Sequence, residues 1–178
     1  MGKKIVVYKS RYGSTKKYAE WISQQLEADL FEVDDIERDK LKDYNTIIYG
    51  GGLYASGISG ISVITKNFED LKEKNIIVFT VGLAATEDKS IFDPIINKNF
   101  PEENMRNSIR FFHFRGGMDY SRLNIMHKAM MAMMKKSVEK KETKTEEDKL
   151  MHETYGGIVD FKDQKMIEPL INYVNSLK

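Results

Sequence analysis

The first apolar segment of the chain, Ile5-Val6-Val7-Tyr8, is short, continuous and rich in β-branched residues. Such a run is typical of a strand that is covered on both faces in a parallel sheet. A short polar segment follows, and from Ser14 onwards Tyr18, Ile22 and Leu26 recur at every fourth position. That spacing predicts a helix with one apolar face. The chain therefore begins with a strand, a loop and a helix.

The same two patterns alternate through most of the remaining chain. Further strands are predicted at residues 30–33, 46–49, 75–81 and 109–114. Further helices are predicted at residues 62–71, 91–99 and 162–177. This alternation predicts an α/β fold in three layers, with a doubly wound five-stranded parallel sheet between helices. Ligands bind such sheets beyond the carboxyl ends of the strands, so function is sought in loops 10–15, 50–59 and 82–86.

One segment, residues 117–157, breaks the alternation and is interpreted as an insertion before the last helix of a single domain, 1–178. We predict a helix at 121–136 with Ser121 as its N-cap, and a solvated or mobile segment at 139–150, which is dense in Lys, Glu and Thr. The helix carries methionines at helical spacing beside three lysines: Met126, Met130, Met133, Met134, Lys128, Lys135 and Lys136. Its apolar face either packs on its own domain or forms a surface for an apolar ligand, a partner or a membrane interface.

Composition excludes several classes of protein. The chain has 178 residues, 41% hydrophobic and 31% charged, and no apolar run long enough to cross a membrane. The absence of Cys excludes disulfides, thiolate nucleophiles and iron–sulfur clusters, so redox chemistry requires a bound cofactor. A net charge of +1 argues against nucleic acid as a partner. The N-terminus lacks the pattern of a secretory signal, and we expect a cytoplasmic protein.

The strongest chemical signal is the loop between the first strand and the first helix, Ser10-Arg11-Tyr12-Gly13-Ser14-Thr15. Its hydroxyls and the free N–H groups of the helix N-terminus favour an anion such as a phosphate. The alternative is that Ser14 and Thr15 only cap the helix and Gly13 only turns the chain. The loop lacks both the three-glycine dinucleotide signature and the Gly-Lys-Ser/Thr phosphate loop, which argues against NAD or ATP bound in those ways.

A glycine-rich segment follows the third strand, Gly50-Gly51-Gly52-Leu53-Tyr54-Ala55-Ser56-Gly57. Glycine density lets a flat aromatic ligand approach the backbone, although a flexible turn is the alternative interpretation. The third loop contains Gly82, Leu83 and Ala84 but no aromatic residue. The three histidines, His113, His127 and His152, lack metal-ligand spacing, so no metal site is predicted. No catalytic residue is assigned.

The strand-Ser-Arg-Tyr-Gly-Ser-Thr-helix arrangement resembles the FMN-phosphate loop of flavodoxins. The resemblance implies that Ser10, Tyr12, Gly13, Ser14 and Thr15, with Arg11 beside them, bind the phosphate of FMN. It also implies that Gly52, Leu53, Tyr54, Ala55, Ser56 and Gly57 flank the isoalloxazine ring. Tyr54 would stack on that ring, and the Ser56–Gly57 peptide would face flavin N5. Gly82, Leu83 and Ala84 would lie at the other ring face, which lacks an aromatic cover.

With its inserted Tyr-x-Arg, Met-rich and basic helix, the chain further resembles the flavodoxin-like protoporphyrinogen dehydrogenases. That resemblance implies an FMN-dependent oxidoreductase with a porphyrinogen substrate and a quinone acceptor. The Met-rich basic helix itself suggests peripheral contact with the inner face of a membrane. The alternative is an electron-transfer flavodoxin that works with a redox partner protein. Such carriers are typically strongly acidic, which this chain is not. A third interpretation, a regulatory or structural subunit, implies that no FMN is bound.

Overall fold

The order of strands and helices follows the predicted alternation. The structure is a computed structural model that describes residues 2–86 and 89–177; residues 1, 87, 88 and 178, which include both ends of the predicted domain, lie outside the described part. The strands are β1 (Lys4–Lys9), β2 (Asp29–Glu32), β3 (Thr46–Tyr54), β4 (Gly57–Ile58), β5 (Asn75–Gly82), β6 (Ile109–Arg115), β7 (Gly117–Asp119) and β8 (Ile158–Asp160). The α-helices are α1 (Ser14–Leu26), α2 (Ser62–Thr65), α3 (Phe68–Leu71), α4 (Asp93–Asn99), α5 (Glu103–Ser108), α6 (Ile125–Glu139), α7 (Glu146–Thr154) and α8 (Glu168–Ser176).

Five strands form the predicted parallel sheet, in the order β2-β1-β3-β5-β6. β4 adds to β3 as an antiparallel hairpin strand, and β7 pairs with β8 in a separate ribbon. The α/β fold, with a mostly parallel central sheet and helices on both sides, is therefore confirmed. The strand order reverses between β1 and β3, which places the ligand crevice at the carboxyl ends of these two strands.

Each face of the sheet has its own core. On one face, alternate strand residues such as Val6, Ile48 and Phe79 pack against α1 and α8. On the other face, Val7, Tyr49 and their neighbours pack against α2 to α5. Strands buried on both faces explain why the apolar runs in the sequence are continuous rather than alternating.

Two predicted helices are shorter than expected. The predicted helix at 62–71 is two short helices, because Asn67 leaves the helical conformation and its side chain donates to the carbonyl of Val63 at 2.8 Å. The predicted helix at 162–177 begins with a 3₁₀ turn at Gln164–Ile167, and α8 starts at Glu168, with Pro169 in its first turn. Proline favours that position because the first helical N–H groups need no partner inside the helix.

The insertion is more ordered than predicted. Ser121 is not the N-cap of the long helix, because it lies in a 3₁₀ turn where its hydroxyl donates to Asp119 at 2.6 Å. α6 begins four residues later, and Asn124 caps it by accepting from the backbone N–H of His127 at 2.8 Å. The segment predicted as solvated or mobile contains the start of α7, which Thr145 opens with a capping box. These local hydrogen bonds stabilise a segment whose composition alone suggested disorder.

Candidate cofactor site

The loop after β1 presents the N-terminus of α1 to the crevice. Gly13 is the N-cap residue with φ +96°, a backbone conformation that glycine adopts without strain. Its N–H donates to the hydroxyl of Ser10 at 3.1 Å, and no side chain caps the helix. The first turn contains Lys16 and Lys17 and no acidic residue. The first turn therefore has neither a side-chain cap nor an acidic residue to offset the positive end of the helix dipole, an arrangement that suits an anion rather than the capping alternative.

The two hydroxyl residues at the start of α1 have different surroundings. The hydroxyl of Ser14 accepts from the N–H of Gly117 at 3.0 Å and lies 3.4 Å from the carbonyl oxygen of the same residue. Ser14 thus joins the loop to β7, at the base of the insertion. Thr15 is almost fully buried. The loop expected to hold a phosphate is consequently also a structural connection to the inserted segment.

The glycine run after the third predicted strand is part of that strand. β3 continues to Tyr54, so the prediction of a loop from residue 50 was wrong at its beginning. A Cβ atom on Gly50 would lie 2.1 Å from the ring of Phe79, and one on Gly51 would lie 2.5 Å from Ile58. These two glycines serve core packing. Only Gly52 lies against an aromatic ring at the crevice, since its Cβ would be 2.9 Å from Tyr54.

A tight hairpin turn joins β3 to β4 at the edge of the crevice. Ala55 and Ser56 occupy the turn with φ angles of +48° and +62°, which side-chain-bearing residues rarely adopt. Asn99 holds this turn: its amide donates to the carbonyl of Ser56 at 2.8 Å, and its carbonyl oxygen accepts from the N–H of Ile58 at 3.0 Å. The Ser56–Gly57 peptide is therefore fixed by a residue of α4 that lies outside the motifs identified in the sequence.

Three aromatic rings meet where the loops approach α6. Tyr54 stacks on His127, with ring centroids 5.0 Å apart and an interplanar angle of 5°. The Tyr12 hydroxyl lies 2.7 Å from Nδ1 of His127, and the Tyr12 ring meets Tyr54 edge-on. Burial raises the pKa of Tyr54 and lowers the pKa of His127, and the nearby charge of Arg11 lowers the latter further. Both influences on the pKa of His127 favour the neutral imidazole.

A cavity of about 640 Å³ lies at the carboxyl ends of β1, β3 and β5 and brings most of the predicted residues together. Its predicted lining residues are Ser10, Tyr12, Ser14, Thr15, Gly52, Leu53, Tyr54, Ala55, Ser56, Gly82, Leu83 and Ala84. Arg11, Gly13 and Gly57 do not line it. The volume falls within the range of small-molecule sites. Hydroxyl and amide donors at one end and aromatic and apolar side chains at the other fit a ligand with a phosphate and a flat ring.

The insertion supplies the part of the cavity wall that the motifs did not predict. Sequence reasoning dismissed His127 for lack of metal-ligand spacing, yet it faces the cavity with Leu123, Met130, Met131 and Met134. Four of them, His127, Met130, Met131 and Met134, lie along one side of α6 at intervals of three, apart from the adjacent methionine pair, and Leu123 lies two residues before the helix begins. That spacing was the available signal: a histidine at a position of the apolar stripe is expected on the packed face of the helix.

A second cavity, of about 320 Å³, is lined mainly by the insertion and adjoins the first. The two share Leu83, Ala84, Met118, Met131 and Met134. Its other walls include Met151 of α7, and Lys141, whose ammonium is 2.7 Å from the nearly buried carboxylate of Asp148. The hydrogen bond holds the pKa of Asp148 below its usual value. The crevice therefore adjoins a second, mainly apolar cavity.

Comparisons with known proteins agree with the fold. The profile of the family described as "Flavodoxin domain" matches residues 5–146. An uncharacterized protein of Methanocaldococcus jannaschii is 34% identical over 103 residues, which is 55% of this chain and 69% of the relative.

Two solved structures are similar at lower identity. The WrbA-like flavodoxin of Agrobacterium tumefaciens is 23% identical with a TM-score of 0.43, over 55% of this chain and 73% of that chain. The Trp repressor binding protein of Bacillus subtilis is 18% identical with a TM-score of 0.48, over 64% of this chain and 85% of that chain. Since the family profile matches most of the sequence, including β1, α1 and β3, this chain belongs to the Flavodoxin domain family, and the family implies a flavin cofactor.

Proposed function

We propose that this protein binds FMN non-covalently and uses it as an oxidoreductase acting on an apolar small molecule. The observation that carries the proposal is the cavity of about 640 Å³, which joins the anion-accepting loop to an apolar and aromatic wall. Family membership supports the flavin, and the N-terminus of α1 supports the phosphate that distinguishes FMN from a bare flavin ring.

Different residues would bind different parts of the cofactor. The loop from Ser10 to Thr15 would bind the phosphate through hydroxyls and backbone N–H groups. Tyr54 would offer an aromatic face to the ring, in offset or edge contact. Leu83 and Met131 would cover the remaining surface and exclude water, which replaces the aromatic cover missing from the third loop.

Bound FMN supplies two-electron chemistry: a substrate loses a hydride equivalent and a proton, and an acceptor such as a quinone later takes the electron pair with two protons. The protein would contribute by positioning the substrate next to the flavin and by excluding water from the site. The second cavity shares its wall with the first, so an apolar substrate held there would lie next to the ring site. A pure electron carrier has no need for such a compartment, which favours an enzyme.

For the substrate we propose a porphyrinogen, with a quinone as acceptor, as in the protoporphyrinogen dehydrogenases that the sequence resembles. The apolar, methionine-lined compartment supports an apolar substrate, and Arg115 at its wall, whose Nε donates to the carbonyl of Leu83 at 3.1 Å, adds a positive charge beside it. An electron-transfer role with a redox partner protein is the second candidate. Ile91 and Met133, exposed at the rim of the first cavity, support it by offering apolar contact.

Met151→Trp distinguishes the two functions. Met151 lines only the second cavity, so we expect tryptophan to fill it, to lower kcat/KM for a porphyrinogen or quinone at least about tenfold, and to leave FMN affinity unchanged. Anaerobic turnover of the FMN-loaded protein is the measurement. Ile158→Trp, at an exposed position outside both cavities, is the matched control. Unaltered turnover in Met151→Trp would favour the carrier. A parent protein that shows no turnover but exchanges electrons rapidly with a flavodoxin reductase would favour it as well.

We propose cytoplasmic localisation with peripheral contact at the inner face of the membrane. No helix in the described ranges is long and apolar enough to cross a bilayer. Ile125 and Met126 are 88% and 58% exposed at the start of α6, and Lys136 follows three turns later near the same face. An apolar strip with nearby lysines is typical of helices that lie in the interface of anionic membranes.

The membrane proposal predicts that the protein sediments with vesicles of phosphatidylcholine and phosphatidylserine and is released by salt. Ile125→Glu with Met126→Glu removes two apolar anchors that line neither cavity, so vesicle binding should fall at least about tenfold. Ile158→Glu, an equally exposed apolar position on β8, is the control and should bind as the parent does. Equal binding by all three proteins would exclude α6 as the contact.

A further inference from the structure

His127 is the only described histidine that touches both loops expected to hold the cofactor. It is 6% exposed, although histidines usually keep contact with water. Its ring lies flat on Tyr54, from β3, and its Nδ1 is hydrogen-bonded to Tyr12, from the loop after β1. Its backbone N–H is fixed by Asn124 at the start of α6. One side chain thus connects three segments that are far apart in the sequence.

The two contacts of His127 restrict the aromatic residues of the site. A tyrosine ring has two faces, and parallel contact with the imidazole takes one face of Tyr54 and limits rotation of its ring. The hydrogen bond between Nδ1 and the Tyr12 hydroxyl fixes the Tyr12 ring as well. Side chains that are already ordered lose less conformational entropy when a ligand binds.

We propose that His127 is a positioning residue that couples the inserted helix to the FMN site, by holding Tyr54 and Tyr12 in the arrangement that the flavin ring requires. The inference rests on the proposed binding of FMN. It assigns the insertion a second task beside that of forming a compartment. Whatever docks on α6, whether substrate or membrane, would then alter FMN affinity through His127.

Coupling of this kind is reciprocal. If the docking of α6 strengthens FMN binding by some factor, FMN strengthens the docking of α6 by the same factor. The helix amides of α6 should therefore exchange with solvent more slowly when FMN is bound. Removal of His127 should reduce both effects together.

FMN titration followed by flavin fluorescence is the first measurement. His127→Ala releases two aromatic side chains that FMN must then order, and we expect about tenfold weaker binding. His127→Phe keeps a ring on Tyr54 and should recover part of the affinity. His152→Ala is the matched control, since this histidine is exposed on α7 and contacts only Glu139 in the ion pairs of the described residues. Its affinity should equal that of the parent.

A double-mutant cycle tests the hydrogen bond and keeps ring volume in the core, so it remains decisive even if His127→Ala folds poorly. Tyr12→Phe should weaken FMN binding about threefold in the parent and less in the His127→Phe background, because the hydroxyl has then lost its histidine partner and keeps only the backbone N–H of Asn124, at 3.4 Å. Equal losses in both backgrounds would show that the Tyr12 hydroxyl acts without His127 and would overturn the hydrogen-bonded coupling.

Hydrogen exchange of the α6 amides at saturating FMN is the second measurement. We expect FMN to slow exchange about tenfold in the parent and in His152→Ala, and to have little effect in His127→Ala. Unchanged or tighter FMN binding by His127→Ala, or equal protection of α6, would overturn the inference while the FMN function stands. Failure of the parent itself to bind FMN would overturn the proposed function, and the coupling with it.

Discussion

Replacing Gly13 by aspartate is expected to weaken FMN binding by at least about 100-fold. The new carboxylate would lie at the N-terminus of α1, where the phosphate is proposed to bind. Two like charges about 4 Å apart repel by roughly 4 kcal/mol at an effective dielectric constant of 20, and about 2.7 kcal/mol corresponds to 100-fold. The lysines of the first turn, Lys16 and Lys17, offset only part of this repulsion because they are exposed to solvent.

The Gly13→Asp variant should still fold, because the expected cost is small beside the stability of a typical domain. A Cβ at φ +96° costs about 1–2 kcal/mol, and aspartate differs from glycine as an N-cap by only a few tenths of a kcal/mol. A Cβ at this position meets no atom within 4 Å. The loss of binding is therefore separable from a loss of stability.

Two controls isolate the charge in the titration. Gly156→Asp places the same residue at a φ of +84°, also with no atom within 4 Å of its Cβ, in the insertion and outside the cavity lining. Its FMN affinity should match that of the parent. Gly13→Ala introduces the backbone strain without the charge, and its FMN affinity should fall by less than about tenfold. If Gly13→Asp binds FMN as tightly as Gly156→Asp does, the loop after β1 is not the phosphate site.

Gly50→Ala is expected to lower the free energy of unfolding by about 2–3 kcal/mol, which corresponds to a decrease in Tm of roughly 4–12 °C for a chain of this size. The reason is steric. A Cβ on Gly50 would lie 2.1 Å from Cζ of Phe79, whose side chain is fully buried against its neighbours in the core. Close-packed interiors have no free volume into which a buried ring can move without strain.

Chemical denaturation of matched variants measures this effect. Gly82→Ala lies at the carboxyl end of the adjacent strand, and the tightest contact of its Cβ would be 3.2 Å, to the terminal Cδ1 of Leu53, which can shift at little cost. Its free energy of unfolding should fall by well under 1 kcal/mol. Phe79→Leu combined with Gly50→Ala should be more stable than the sum of the two single changes indicates. Additive losses would show that Gly50 acts through backbone flexibility instead of contact with the ring.

Several features of the site could be predicted from local patterns. The apolar run at residues 5–8, the loop and the stripe of α1 lie within one short stretch of chain, and each has a strong intrinsic signal. The carboxyl-end location of the site follows from the alternation of strands and helices. In contrast, the glycines at positions 50 and 51 looked like part of a ligand loop, because a sequence does not reveal which residue on the neighbouring strand fills the space beside them.

Boundaries in the insertion were harder to predict, since several residues there can cap a helix. Ser121 has the chemistry of an N-cap, but its hydroxyl donates a hydrogen bond to Asp119, and Asn124 caps α6 instead. The segment after α6 has a disorder-like composition and still forms α7, because the carboxylate of Asp148 bonds both Thr145 and Lys141. The ends of these helices depend on specific pairs of side chains rather than on the average composition of a short stretch of sequence.

By itself, the sequence determined the parallel sheet and the helix N-terminus that follows β1, because periodic burial and local turn chemistry act between near neighbours in the chain. The motif of that loop carried the resemblance to flavodoxins. Only the tertiary structure decided which face of α6 turns inwards, that a second cavity adjoins the first, and that His127 stacks on Tyr54. The physical reason is distance along the chain: the hydrogen bond between Tyr12 and His127 spans 115 residues, and no local pattern specifies such a contact.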